Sequence, residues 1–187
     1  MLYQIVDYPN ASELNPILHQ LIKDEPKDLI KGGGNRTGWT FGLDNKEVDV
    51  LMRWVEELIP PIAHNFSRVV GGKNDTGDYG SKEYVYHGGG ELGYDPQAFK
   101  IIESWGITYH KGQGVEPHNH YPYALSFSYY VRMPEGSSPL VFEFDKVNMR
   151  EGQIIFFEGH TWHEVPASPV SGRSVLAGNI AYYPPKY

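Results

Sequence analysis

Tyr109-His110-Lys111-Gly112-Gln113-Gly114-Val115-Glu116-Pro117-His118-Asn119-His120 is the stretch that decides how this chain folds and what it can bind. Residues i and i+2 of an extended chain point to the same face, so His118 and His120 can converge on one metal ion. A third histidine, His163, follows the apolar run Ile154-Ile155-Phe156-Phe157, and His160 is its rival. Two ligands from one strand and a third from a distant strand make a facial site with open positions. Spacing alone leaves the bland alternative standing, in which the paired histidines are solvated or structural.

Outward from this stretch, the chain from about residue 99 reads as short strands. The candidates are 100–110, 124–133, 139–144, 153–157 and 173–183, punctuated by turns at Pro134-Glu135-Gly136, Glu151-Gly152 and Ser171-Gly172. Short strands so spaced predict a sandwich, barrel or jelly roll. In 124–133, Leu125, Phe127, Tyr129, Val131 and Met133 form an apolar face, whereas Ala124, Ser126, Ser128, Tyr130 and Arg132 form a small, polar one. Such a face lines a wet cavity or simply meets solvent; alternation fits both. In 173–183, Arg173, Val175, Ala177 and Asn179 share a face, opposite Leu176, Ile180 and Tyr182. An arginine at the mouth of that strand is either a bidentate carboxylate clamp or a surface cation.

The first third is the helical part. After a strand-like segment at Tyr3 and Ile5, Leu14, Ile17, Leu18, Leu21 and Ile22 fall at helical spacing. Either Asn10 and Glu13 form a capping box, or Asn15 caps with Pro16 at the first helical position; the second is preferred because it keeps the proline out of a helix interior. After the break at Gly32-Gly33-Gly34-Asn35, Asn45 can cap a second helix with Val48, Leu51, Met52, Val55, Leu58 and Ile59 on one stripe. Pro60-Pro61 is expected to kink or end it. Both helices most simply cover a sheet. Residues 71–98 hold eight glycines and several tyrosines, which fits a long loop or a lid over a substrate. One domain is expected over 1–187, with 1–98 as helical cover plus Gly-rich loop and 99–187 as the β core.

Composition removes whole classes of chemistry. No cysteine is present, which excludes disulfide scaffolds, thiolate zinc sites, iron–sulfur clusters and cysteine nucleophiles. A net charge of −7 argues against nucleic acid as a partner. No apolar run is long enough for a membrane span, and no signal peptide is visible, so the cytoplasm is the expected location.

Four elements together carry a family resemblance. Tyr109 to His120 resembles the Y-x-x-G-Q-x(4)-H-x-D run of iron(II)/2-oxoglutarate-dependent oxygenases of the prolyl-4-hydroxylase type. Leu125-Ser126-Phe127-Ser128-Tyr129-Tyr130-Val131 is similar to the next strand of that family. Gly152-Gln153-Ile154-Ile155-Phe156-Phe157 followed by His163 resembles its G-x-x-x-x-F…H element, and Arg173 stands ten residues after His163, where the family's basic residue lies. The likeness covers roughly 105–180 and fits small phage or bacterial members with H-x-H in place of H-x-D, which would place a phage-encoded copy in the host cytosol.

The resemblance implies a mainly β fold, a double-stranded β-helix (jelly-roll) core with N-terminal covering helices. It implies one Fe(II) on His118, His120 and His163, with His120 in the aspartate position. Tyr109 and Tyr130 would lie beside 2-oxoglutarate and Arg173 would clamp its far carboxylate; Asn179 is a further site-lining residue by strand parity. The implied activity is hydroxylation with 2-oxoglutarate and O2 as co-substrates, on a peptide or protein, a peptidyl proline among the options. A neutral imidazole at His120 leaves the metal one unit more positive than a carboxylate would. Glu116 supplies a carboxylate only if the register shifts, which spoils the Tyr109 spacing. Two other readings remain open: a cupin-like three-histidine dioxygenase without 2-oxoglutarate, and a non-catalytic metal-binding jelly roll.

Overall fold

The computed structural model describes residues 3–25, 28–70 and 99–183. The Gly-rich stretch 71–98, read above as a loop or lid, lies outside them. Strand β1 (Tyr3–Asp7) leads into helix α1 (Ala11–Asp24), the two-residue strands β2 (Asp28–Leu29) and β3 (Asn35–Arg36), the short α2 (Phe41–Asp44) and the long α3 (Asp49–Val70). The remaining strands are β4 (Phe99–Tyr109), β5 (Val115–His118), β6 (Leu125–Arg132), β7 (Leu140–Phe142), β8 (Asp145–Val147), β9 (Gln153–Glu158), β10 (His163–Val165) and β11 (Arg173–Tyr182).

These strands build two antiparallel sheets, one in the order β1-β9-β6-β11-β4-β3-β2 and one in the order β5-β10-β7-β8. The protein is thus mainly β, with N-terminal helices on a jelly roll. The first third gives more than helices, because β1 pairs with β9 and β3 with β4, extending the large sheet at both sides.

Each face of the large sheet has its own core. Under the helices, Leu18 and Ile22 of α1 and Leu51, Val55 and Ile59 of α3 pack with Leu125, Phe127, Tyr129, Leu176 and Ile180. Burying each such aliphatic side chain contributes about 1.5–3 kcal/mol. Toward the small sheet, Trp105, Ile107, Tyr109, Tyr130, Ile155, Phe157 and Val175 face Leu140, Phe142 and Val165. The face predicted for Tyr130 and the odd residues of β11 is this inner one.

Both helices differ from expectation where proline is concerned. Helix α1 begins at Ala11, so Pro16 lies inside it and Asn15 is no cap. Asn15 is buried and accepts a hydrogen bond from the Tyr129 hydroxyl at 2.5 Å. Pro16 is on the exposed side, as is Ser12, whose carbonyl loses its helical donor to the proline. Helix α3 likewise runs through Pro60-Pro61; the carbonyls affected belong to Glu56 and Glu57, both exposed. Asn45 makes a turn ahead of α3, its Oδ1 accepting from the Glu47 N–H at 3.2 Å. Among the described residues, no helix is long and apolar enough to cross a membrane.

Candidate functional site

The three histidines predicted as ligands come together. His163 of β10 is the direct cross-strand partner of His118 at the end of β5, so antiparallel pairing alone brings the two side chains to one face. His120 follows in the loop, where its backbone N–H donates to the Gly159 carbonyl at 2.6 Å. Ring centroids lie 4.3 Å apart for His118–His163, 5.0 Å for His118–His120 and 5.1 Å for His120–His163. One nitrogen from each ring lies within 4.8 Å of the others. His160, the rival ligand, instead points to Glu158, with Nε2 3.8 Å from its carboxylate.

Hydrogen bonding fixes which nitrogen is presented. His118 Nδ1 donates to the Glu116 carbonyl at 2.8 Å, and His163 Nδ1 to the Thr161 carbonyl at 3.0 Å. A carbonyl only accepts, so Nδ1 carries the proton and Nε2 keeps its lone pair toward the shared space. Burial lowers all three histidine pKa values below the ordinary range. His163 falls to about 4 through burial and then the charge of His118, and His120 to about 3 through burial and then the charges of His163 and His118. At neutral pH the cluster is three unprotonated imidazoles, the form a metal ion requires.

The cluster opens into a cavity of about 480 Å³ between the sheets. Tyr109, Tyr130 and Arg173, three of the four predicted co-substrate residues, line it. Arg173 is 1% exposed, its guanidinium carbon 4.9 Å from the Tyr109 ring centroid and 5.5 Å from that of Tyr130. Its Nη1 donates to the Ser138 carbonyl at 3.2 Å, while Nε and the nearby Tyr130 hydroxyl are buried without a hydrogen-bond partner. Burial pushes the Tyr109 hydroxyl up to about 12 and raises that of Tyr130, with Arg173 opposing in each case, so both stay protonated donors. Asn179 shares the inner face but is not among the cavity-lining side chains. It accepts from the Ser126 hydroxyl at 2.9 Å and donates to Glu103 at 2.8 Å, which holds β4, β6 and β11 together.

Glycine geometry sets the approach to this cavity. A Cβ on Gly114 would sit 2.2 Å from the Val165 carbonyl oxygen, so β5 enters beside β10 only because that residue is glycine. Gly32, at φ +94, packs its backbone on Gly114 in turn and leads the N-terminal segment to the cavity wall.

No protein-family model and no curated protein matches the sequence. Solved structures do match the fold. The viral collagen prolyl hydroxylase vCPH from Paramecium Bursaria Chlorella virus-1, solved with 2-oxoglutarate, aligns with a TM-score of 0.63 at 15% identity over 96% of each chain. A Pseudomonas putida prolyl-4-hydroxylase aligns at 0.65 and 14% identity, over 97% of this chain and 92% of that one. SnoK, an alpha-ketoglutarate-dependent carbocyclase of nogalamycin biosynthesis, aligns at 0.62 and 11% identity, over 97% and 82%. The chain has the fold of the iron(II)/2-oxoglutarate oxygenases. It is prolyl-4-hydroxylase-like across nearly its whole length, with a His-His-His triad.

The donor chemistry fits the groups this fold family uses. Three neutral imidazoles suit a divalent first-row metal. A buried guanidinium with an unpaired Nε, beside an unpaired phenol hydroxyl, suits an anion with more than one oxygen. The cavity also contains residues the sequence reading missed: Arg36, Trp39 and Trp105. Arg36-Thr37-Gly38-Trp39 places a cation and an indole three residues apart, but no periodic pattern surrounds them, and only the pairing of β3 with β4 brings them to the cavity.

Proposed function

We propose that this chain is an Fe(II)- and 2-oxoglutarate-dependent oxygenase that hydroxylates a second substrate, with a peptidyl proline as the first class to test. His118, His120 and His163 would hold the metal, and Tyr109, Tyr130 and Arg173 the co-substrate. The observation that carries this reading is the pairing, in one cavity, of a three-imidazole cluster with a buried arginine whose Nε has no partner. A cupin-like dioxygenase without 2-oxoglutarate would leave that desolvated cation unmatched, and a buried unpaired charge is costly.

When bound, the Fe(II) and 2-oxoglutarate pair supplies oxidative decarboxylation to succinate and carbon dioxide, coupled to hydroxylation by O2. The chain's own residues have defined tasks beside it. The Glu116 and Thr161 carbonyls keep His118 and His163 in the tautomer that offers Nε2. Arg173, tethered through Nη1 by Ser138, presents its remaining edge to the far carboxylate, and Tyr130 donates its hydroxyl to the same end. Trp105, Ile107, Phe157 and Val175 form apolar walls that limit water around the reacting groups.

The test is succinate formation. Metal-stripped protein given Fe(II), 2-oxoglutarate and air should produce succinate slowly without a second substrate and faster with a proline-containing peptide, and His163→Ala should abolish both. Stoichiometric iron binding with no succinate under any of these conditions would refute the enzyme reading.

A further inference from the structure

Arg36 is a buried, charged cavity residue whose chemistry the co-substrate site does not use. It lies at the far end of a cross-strand row on the inner face of the large sheet. Tyr130 pairs with Val175, Val175 with Ile107, and Ile107 with Arg36. Adjacent strands are about 4.8 Å apart, so Arg36 is two strands, roughly 10 Å, from the strand that carries Arg173.

The side chain is held in place but only half engaged. Its guanidinium carbon sits 3.7 Å over the centroid of Trp39. Trp39 meets Trp105 edge-on at 4.8 Å, and Trp105 meets the ligand-type His120 at 5.8 Å. Arg36 is thus the outer end of an aromatic wall that starts at the histidine cluster. Nη1 donates to the Thr37 carbonyl at 3.0 Å. The opposite edge is open: Nε is buried without a partner, and Nη2 has only Asp28 at 3.8 Å, beyond hydrogen-bond reach, with the Asp28 side chain 81% exposed. That Nε/Nη2 edge is where a carboxylate docks with two parallel hydrogen bonds.

The charge balance agrees. Among the described residues, Lys31, Arg36 and Arg173 line the cavity with Glu116 as the one lining carboxylate and the exposed Asp28 beside Arg36 at 3.8 Å, in a protein of net charge −7. One dianionic co-substrate on a divalent metal with three neutral ligands is balanced without Arg36, whose nearest carboxylates are Asp28, exposed and 3.8 Å away, and Glu103, which accepts from Asn179.

We propose that the primary substrate carries a free carboxylate, bound by the Nε/Nη2 edge of Arg36 with its apolar body against Trp39 and Trp105. This rests on the oxygenase reading for what happens next to the histidines, though not for the anion site itself. It favours a small carboxylic acid, or a proline at a C-terminus or beside an acidic residue, over an internal proline in a neutral sequence.

The test uses full-length protein loaded with Zn(II) and saturating 2-oxoglutarate. It is titrated with N-acetylproline and with N-acetylproline amide, followed by calorimetry and tryptophan fluorescence. The acid should bind roughly tenfold or more tighter than the amide, as a charge-assisted pair requires. Arg36→Gln should erase that preference, and Arg36→Lys should lose most of it because a lysine lacks the planar fork. Both variants should keep 2-oxoglutarate affinity within twofold, whereas Arg173→Gln should not. Equal binding of acid and amide, no binding of either, or a preference that survives in a folded Arg36→Gln protein would overturn the proposal. So would a loss of 2-oxoglutarate binding in Arg36→Lys as large as in Arg173→Gln. An Arg36-dependent preference in a protein that never binds 2-oxoglutarate would support the carboxylate site and refute the oxygenase reading instead.

Discussion

Tyr129 and Tyr130 are neighbours on β6, both fully buried, and they face opposite worlds. The Tyr129 hydroxyl points under the helices and is satisfied by Asn15. The Tyr130 hydroxyl points between the sheets, near Ser128 and Arg173, and makes no hydrogen bond of good geometry. The same contrast holds across the whole large sheet. Its helix-covered face is an apolar core, with Leu18, Ile22, Leu51 and Val55 at 0% exposure. Its inner face carries two arginines with an unpaired Nε and looks across a cavity at the three histidines, two of them on the small sheet and His120 in the loop after β5. Native interiors seldom leave buried polar atoms unpaired. One face of the sheet obeys that rule and the other breaks it repeatedly within one cavity, at the residues proposed above to bind 2-oxoglutarate and the substrate.

The sharpest way to break this contrast is on the ligand side. His163→Ala should reduce metal affinity by more than the 10–100-fold typical of changes that only touch a ligand's supporting groups. Its metal-free protein should melt close to the native one; calorimetric metal titration and thermal melts check both. A truncation on the dry face should do the reverse. Leu51→Ala is expected to cost about 2–5 kcal/mol of stability in denaturant unfolding, with metal stoichiometry unchanged.

The paired tyrosines give a smaller and more diagnostic comparison. Tyr129→Phe removes the partner of a buried asparagine and should cost about 1–3 kcal/mol. Tyr130→Phe deletes a hydroxyl that makes no hydrogen bond of good geometry, so stability should stay level or rise while 2-oxoglutarate binding weakens several-fold. Equal destabilisation by the two changes would contradict the assignment of faces.

A last expected effect is a pH dependence of the metal-free protein. Its three clustered histidines have folded pKa values below their unfolded values of about 6.5. As pH falls through 6.5 the unfolded chain takes up protons that the fold refuses, so stability present above that pH is lost progressively toward pH 4. His120→Asn should flatten the slope of the melting temperature between pH 6.5 and 4.

Much of this was legible beforehand, for reasons that can be named. The H-x-H pair, the later histidine and the parity of β6 and β11 are local patterns, and antiparallel pairing turned them into one site: His163 lies opposite His118 and Val175 opposite Tyr130. Arg36 was not legible, since β3 is two residues long and exists only through its pairing with Ile107 and Thr108. The prolines in α1 and α3 misled because the cost of a proline depends on which carbonyl it deprives, and those of Ser12, Glu56 and Glu57 lie on exposed residues. Asn15 looked like a cap but serves the core, a role that requires knowing Tyr129 lies above it.

The central claim, that one cavity holds metal and 2-oxoglutarate together, is tested most directly without oxygen. Fe(II) and then 2-oxoglutarate are added anaerobically to metal-stripped protein, and the visible spectrum is recorded. The predicted result is a weak metal-to-ligand charge-transfer band that needs both additions, is absent in His163→Ala, and requires far more 2-oxoglutarate in Arg173→Ala. Iron binding with no such band at any 2-oxoglutarate concentration would contradict it.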